Sequence, residues 1–258
     1  HRIYEAIQAV TGGPLNTLTP DTNPDYWLDT GATNRFKLFD NVVNNPTTNP
    51  ESIDVTLRPG AVVNAFAIFE MLAVTLQVTM TDPVDGVVYD TTIDLADYTN
   101  ITGYYAYFFE PVAQRRTDYI LLDLPIYPAA DIRVQINNPG NTAKAGEIAT
   151  GAQTAIGGSN YGTQSGIRDY SRKEADEFGN FVIVQRRFAK TADYAVTLET
   201  SAISAVQRYF ASIRATPCVY IGDPARDETI LYGFYREFQT VIGSPTISDC
   251  NLQVEGLT

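Results

Sequence analysis

The chain has 258 residues, of which 44% are hydrophobic, 19% are charged and 11% are aromatic. Its length exceeds that of a usual domain of about 100 to 150 residues, so we expect two packed units and a fragment. The formal net charge of −12 argues against binding to nucleic acid or to an anionic membrane surface, because both would be repelled. No run of about 18 apolar residues is present, and we expect no membrane insertion.

Histidine and cysteine are scarce in this sequence. The one histidine is His1, and the two cysteines are Cys218 and Cys250. Nucleophile pairs such as Ser-His-Asp and Cys-His need a histidine, and zinc sites need several Cys and His side chains; with His1 as the one histidine, at the first position, such chemistry is nearly excluded. We therefore predict a protein that is not an enzyme and holds no metal and no cofactor. The two cysteines are predicted to be buried free thiols.

Residues 1–31 are predicted to contain a short strand from Arg2 to Val10, a loop rich in Gly, Pro, Asn, Thr and Asp, and a closing aromatic pair, Tyr26 and Trp27. This stretch is too short to form a core alone. Because the chain opens with His in what reads as the middle of a strand, we expect upstream sequence.

Residues 32–165 contain several short runs in which apolar and polar residues alternate. A period of two is typical of strands that present one apolar face. The clearest runs are 53–57, 74–80 and 132–136. Turn sequences such as Arg58-Pro59-Gly60 separate them. Many short strands at this spacing predict a β-sandwich or jelly roll.

Residues 166–258 have a different composition, which follows a stretch rich in Gly, Ala, Thr and Ser over 146–166. A charged stretch and a strand pair precede a predicted helix, which Thr200 or Ser201 can cap and which Pro217 prevents from continuing. Apolar residues fall on one face of this helix at Ile203, Val206, Phe210 and Ile213. Further strands follow it. We predict a small α+β domain with one helix on an antiparallel sheet, which is a candidate for assembly or docking.

The first part of the chain carries Tyr4-Glu5-Ala6, then Pro14, then Trp27. This order resembles the second half of the small carbohydrate-binding modules attached to bacterial chitinases. The resemblance implies that Tyr4, Tyr26 and Trp27 stack on sugar rings of a glycan. Those modules usually carry further aromatic residues directly after the strand, where this chain has Gln8-Ala9-Val10. The other interpretation is structural, with Trp27 filling a small core.

A longer resemblance starts with the sequence ATNRFKLFD at 32–40 and covers essentially the whole chain. It continues in the segments 53–69, 166–174, 176–180, 214–222, 232–235 and 252–258. Together these segments resemble tail proteins of tailed bacteriophages, in which a jelly roll is opened by a similar motif. The resemblance implies a structural component at the tail tip or distal tail region. It also implies a virion protein that is made in the bacterial cytoplasm and has other tail proteins and copies of itself as partners. A host cell-surface glycan is a further expected partner.

Two other features leave alternatives open. The aromatic residues at 104–109 are either a sugar-stacking platform on a sandwich face or loop, or a core strand whose second face is covered in an assembly; we favour packing. Acidic residues cluster at 82–97 and 223–228. Two carboxylates about 5 to 10 Å apart would suit a polysaccharide hydrolase, whereas Asp residues in loops more often start turns. The sequence alone nominates no catalytic residue among them.

Overall fold

The computed structural model describes most of the chain. The described residues are 1–8, 19–97, 103–109, 115–175 and 180–257. Strands account for 53% of the residues and helices for 11%, so the prediction of a mainly β protein is confirmed. Neither helix among these residues is both long and apolar enough to cross a membrane.

The N-terminal part is an antiparallel hairpin of β1 (Arg2–Ala6) and β2 (Trp27–Ala32). The predicted first strand is shorter than expected, since it ends at Ala6; residues 9 and 10 lie outside the described part of the chain. Before Ala32, none of the described residues is buried. The hairpin therefore has no core among these residues.

The next part is a β-sandwich, preceded by a 3-10 helix over Asn34–Phe39. Its strands are β3 (Thr47–Leu57), β4 (Ala65–Phe69), β5 (Thr75–Asp82), β6 (Gly86–Asp94), β7 (Tyr119–Leu121), β8 (Asp131–Ala145) and β9 (Glu147–Gly151). They form two antiparallel sheets, with the orders β3-β8-β5-β6 and β7-β4-β9. Alternating side chains of β5 and β8, such as Val78 and Val134, are fully buried between the two sheets. The predicted sandwich is confirmed, and its three clearest runs lie in β3, β5 and β8.

The favoured interpretation of residues 104–109 as a packed core strand is wrong. They form a short helix, α1 (Tyr104–Phe109). The rings of Tyr105 and Phe109 lie 5.1 Å apart, which is the contact that a spacing of four residues allows in a helix. The side chains of Tyr104 and Phe109 are 88% and 73% exposed, so they do not belong to the core.

The C-terminal part is an antiparallel sheet with a helix packed on it. Its strands are β10 (Gly158–Ser159), β11 (Gln164–Asp169), β12 (Arg172–Ala175), β13 (Phe181–Val184), β14 (Phe188–Glu199), β15 (Cys218–Ile221), β16 (Ile230–Val241) and β17 (Ile247–Gly256). The order is β10-β14-β17-β16-β15, and β11 also pairs with β14; among the described residues, β12 pairs only with β13. The sheet takes its first strand from residue 158, ahead of the predicted domain boundary at 165, and the division into domains stays a prediction.

The predicted helix is α2 (Ile203–Ser212), which a 3-10 turn over Thr200–Ala202 precedes. Ile203 and Phe210 are buried against the sheet, and the ring of Phe210 lies 4.7 Å from that of Phe238 in β16. The apolar residues that share one face in the sequence are thus the ones that pack on the sheet.

Both cysteines are free thiols, and of the two Cys250 is buried while Cys218 is partly exposed.

Strand β4 joins the sandwich to the C-terminal sheet. Its sequence, Ala-Phe-Ala-Ile-Phe, lacks polar alternation because both faces are covered. Phe66 and Ile68 pack in the sandwich core. On the other face, Ala67 and Phe69 cluster with residues of β16 that include Tyr232. We call this second cluster the junction; it consists of Val43, Ala67, Phe69, Ile230 and Tyr232. Sheets and helix therefore stack in four layers.

Candidate functional site

Tyr4 and Trp27, two of the three predicted glycan-binding residues, lie on one face of the N-terminal hairpin. The register pairs Tyr4 with Asp29 and Ala6 with Trp27. Residues that are directly opposite in an antiparallel pair share a face, so Tyr4 and Trp27 are diagonal neighbours. Both side chains are partly exposed. Two adjacent aromatic rings of this kind can stack on consecutive sugar rings.

Tyr26, the third predicted residue, lies outside the paired strands, in the turn that precedes β2. The N–H of Tyr26 donates to the carbonyl of Asn23 at 3.1 Å, and its carbonyl accepts from the N–H of Ile7 at 3.0 Å. The strand pairing therefore brings two of the predicted residues together on one face and does not include the third.

The hairpin is held by polar contacts across its strands. Arg2 forms an ion pair with Asp29 at 2.5 Å, and the Thr30 hydroxyl donates to the carbonyl of Ile3 at 3.0 Å. The Gln8 amide donates to the carbonyl of Asp25 at 2.6 Å. Gln8 stands where the chitinase modules usually carry an aromatic residue. Here its side chain instead holds the backbone at Asp25, two residues before Trp27.

Glu147 is a second notable group, and the sequence did not single it out. It lies at the start of β9, is 3% exposed and accepts a hydrogen bond from the N–H of Asn41 at 3.0 Å. The hydroxyl of Tyr232 donates to Oδ1 of Asn41 at 2.5 Å. Burial raises the pKa of Glu147 to about 8. The carboxyl thus belongs to a polar chain that links the sandwich to β16 beside the junction.

A further polar contact at the edge of the junction involves Asp118. Its carboxylate accepts from the N–H of Glu70 at 2.9 Å and pairs with Nζ of Lys190 at 2.9 Å. Burial, and secondarily the charge of Asp118, raise the pKa of the Glu70 carboxyl. Since Asp118 binds a backbone amide and an ammonium of the C-terminal sheet, this arrangement positions two sheets relative to each other.

A cleft of about 670 Å³ runs along β15, where the segment after β9 crosses to the C-terminal sheet. Its lining is mainly apolar and includes Ala65, Ile148, Ala149, Val219 and Ile221. The hydroxyl of Tyr220, which also borders the cleft, is buried and lacks a hydrogen-bond partner among the described residues. Volume and lining suit an apolar group.

Each acidic cluster contains a carboxylate that starts a turn. Asp82 accepts from the N–H groups of Val84 and Asp85 at 2.9 and 3.1 Å, and Asp223 accepts from that of Ala225 at 3.0 Å. These contacts correspond to the turn-starting interpretation. Within the described ranges, no three acidic, His or Cys side chains come together as a group able to hold a metal ion.

His1 stacks on Phe36, with ring centroids 3.9 Å apart.

Comparisons of the chain with protein-family models, with curated proteins and with solved structures each found no match.

Proposed function

We propose that the chain is a structural component of a bacteriophage tail, located at the tail tip or distal tail region. The resemblance of the sequence to tail proteins over essentially the whole chain suggests this role. The structural observation that supports it is the burial of β4 on both faces. Strand β4 packs in the sandwich core on one face and on the C-terminal sheet on the other. The two parts therefore form one continuous packed body. Such a body suits a protein that holds neighbours in fixed positions.

The buried polar groups favour the same role. Glu147 and Asp118 each accept hydrogen bonds from backbone amides and link separate elements of the fold. A catalytic carboxylate instead needs an open approach to the bond that it cleaves. These groups are used for architecture, which is the expected property of an assembly part.

Mass spectrometry of purified particles tests the proposal. The particles would come from the bacteriophage or induced prophage whose genome encodes the chain. We expect peptides of this chain at a constant ratio to those of other tail proteins. A nonstructural phage protein made at the same time serves as the control and should be depleted on purification. Particles that contain the other tail proteins but lack this chain would contradict the proposal.

A second candidate function is recognition of a host-surface polysaccharide. The placement of Tyr4 and Trp27 on one face favours it. We expect Tyr4→Ala and Trp27→Ala each to weaken binding by about tenfold, because each removes one stacking surface. Leu28→Ala is the matched control, at an exposed position on the opposite face of β2, and should leave the affinity unchanged. A glycan array without any binding, or an equal loss for all three variants, would reject this function.

A further inference from the structure

Beyond β11 and β14, the chain continues as a hairpin that extends past the C-terminal sheet. We call residues 170–187 the arm, of which the structure describes 170–175 and 180–187. Its base is fixed, since the hydroxyl of Tyr170 donates to Glu255 at 2.6 Å and the N–H of Tyr170 donates to the carbonyl of Arg187 at 3.2 Å. Further out, β12 pairs with β13 and with no third strand among the described residues. Both strands therefore have a free backbone edge.

Strand β13 is apolar at every position and exposed at every position. The exposed fractions of Phe181, Val182, Ile183 and Val184 are 57%, 67%, 67% and 38%. Because alternate residues point to opposite faces, the arm presents apolar side chains on both of its faces. A two-stranded hairpin is marginally stable in water, and an exposed apolar edge strand is a template for pairing with another chain.

The charge of the arm differs from that of the rest of the protein. Residues 170–187 hold four basic and three acidic residues, a net charge of +1, which leaves 14 basic and 27 acidic residues, a net charge of −13, elsewhere. The basic side chains of the arm are exposed. They are Arg172, Lys173, Arg186 and Arg187. Nζ of Lys173 lies 4.2 Å from the ring centroid of Phe181, so positive charge and apolar surface adjoin.

These charges distinguish between two ways of covering the arm. Contact between the arms of two copies would bring together two segments that each carry a net positive charge. Contact between one arm and the acidic body of another copy would place opposite charges together, and this arrangement is electrostatically favoured. We propose that the arm docks on the body of a second copy of this chain, with the apolar residues of β13 buried in the contact.

This inference rests on the proposed structural role and names the partner that the role requires. The contact is heterologous, because each copy contributes its arm to one neighbour and its body to another. Heterologous contacts generate rings when the rotation closes and filaments when it does not. A single arm on each chain is therefore sufficient for assembly of many copies.

Sedimentation velocity over a range of protein concentrations tests the docking. We expect the wild-type chain to self-associate, and to do so less as salt rises, because ions screen the charge attraction. The double variant Val182→Ser/Ile183→Ser removes one apolar residue from each face of the arm, and the dissociation constant should rise by at least about tenfold. The matched control is Val84→Ser/Val87→Ser, which alters two exposed valines of the β5–β6 hairpin and should behave as wild type. Equal association of all three proteins, or a wild-type chain that stays monomeric, would overturn the proposal.

A mixing experiment identifies the surface that receives the arm. In an arm-deleted chain, residues 172–184 are replaced by a two-residue Asn-Gly turn, and cooperative unfolding checks that the chain folds. This chain keeps the body, so it should bind the arm of labelled wild-type protein and shorten its assemblies. Failure of the folded, arm-deleted chain to bind wild type would mean that arms pair with each other and would overturn the proposal.

Failures of the two proposals are distinguishable. A chain that is found in purified particles but stays monomeric in solution rejects the docking of the arm and leaves the tail function standing. Assembly that depends on the arm, in a chain absent from particles, supports the docking and rejects the tail function.

Discussion

Strands β4 and β13 have the same kind of sequence and opposite surroundings. β4 reads Ala-Phe-Ala-Ile-Phe and β13 reads Phe-Val-Ile-Val, each without a polar residue. The sandwich core covers one face of β4, and the C-terminal sheet covers the other. Both faces of β13 are exposed. A continuous apolar run in a strand thus predicts that both faces of the strand are buried. It does not show whether the residues that bury them belong to the same chain.

The polar contacts around the two strands differ in the same way. Near β4, the buried chain of Glu147, Asn41 and Tyr232 connects separate parts of the fold. On the arm, Arg172 pairs with Glu174 at 3.3 Å, and both side chains are more than half exposed. Exposed ion pairs contribute little to stability, whereas buried polar groups are costly to leave without partners. The polar contacts near β4 therefore contribute more to stability than those of the arm.

The largest expected effect on stability is that of Phe69→Ala in β4, and Phe181→Ala in β13 is its matched comparison. Phe69→Ala should lower the free energy of unfolding by about 3 to 5 kcal/mol, because it removes a buried ring from the junction. Phe181→Ala should change it by less than about 0.5 kcal/mol in the monomer, because that ring is already exposed. Urea denaturation at low protein concentration measures both values. Similar losses for the two variants would show that the arm is packed within its own chain.

The pH dependence of stability should report on Glu147. Its pKa is about 8 in the folded protein and takes the ordinary value of 4.5 on unfolding. Between these values the folded state retains a proton that the unfolded state has lost, so this group lowers the free energy of unfolding as pH rises. Above about pH 8 both states are ionised, and the contribution becomes constant.

Glu147→Gln removes this titration. We expect the fall in the urea midpoint between about pH 5 and pH 8 to be smaller in the variant than in wild type. Glu5→Gln, at an exposed position of the N-terminal hairpin, is the matched control and should keep the wild-type slope. Parallel slopes for wild type and Glu147→Gln would contradict the assignment of a protonated carboxyl beside the junction.

A smaller effect is expected for the hydroxyl of Tyr232. Tyr232→Phe keeps the ring that stacks on Phe69 and removes the hydrogen bond to Asn41. The free energy of unfolding should fall by about 0.5 to 1.5 kcal/mol, with a similar slope in urea. A loss as large as that of Phe69→Ala would mean that the polar chain, rather than apolar packing, holds the junction.

The smallest effect is expected on the arm. Arg172→Ala breaks the exposed pair with Glu174 and should change the stability of the monomer by less than about 0.5 kcal/mol. The same variant should weaken self-association, because it removes a positive charge from the docking surface. Thermal unfolding of dilute protein and sedimentation at higher concentration separate the two effects. If the variant self-associates as strongly as wild type, the charge of Arg172 does not contribute to the contact between copies.

The features that were predictable from the sequence are those with one apolar and one polar face. The alternating residues of β5 and β8, and the stripe of Ile203 and Phe210 on α2, each mark the side that packs. In contrast, α1 was missed because its consecutive aromatic residues favour strands, while the contact of Tyr105 with Phe109 forms only once the helix exists.

The candidate sites depended on contacts between distant residues. Glu147 is buried because Asn41 and Tyr232, which are far apart in the sequence, meet beside it. The shared face of Tyr4 and Trp27 depends on the register of the hairpin, which shifts between Ile3 and Tyr4. Residue types suggested Tyr4, Tyr26 and Trp27, but only the strand pairing shows that Tyr4 and Trp27 share a face.

Hydrogen exchange at several protein concentrations is the most direct test of the contrast between β4 and β13. Peptides covering Ala65–Phe69 should be protected at every concentration, because that strand is covered within the chain. Peptides covering Phe181–Val184 should exchange rapidly in dilute protein and become protected as concentration rises. Exchange at β13 that is independent of concentration would contradict the conclusion that a second copy supplies the missing cover.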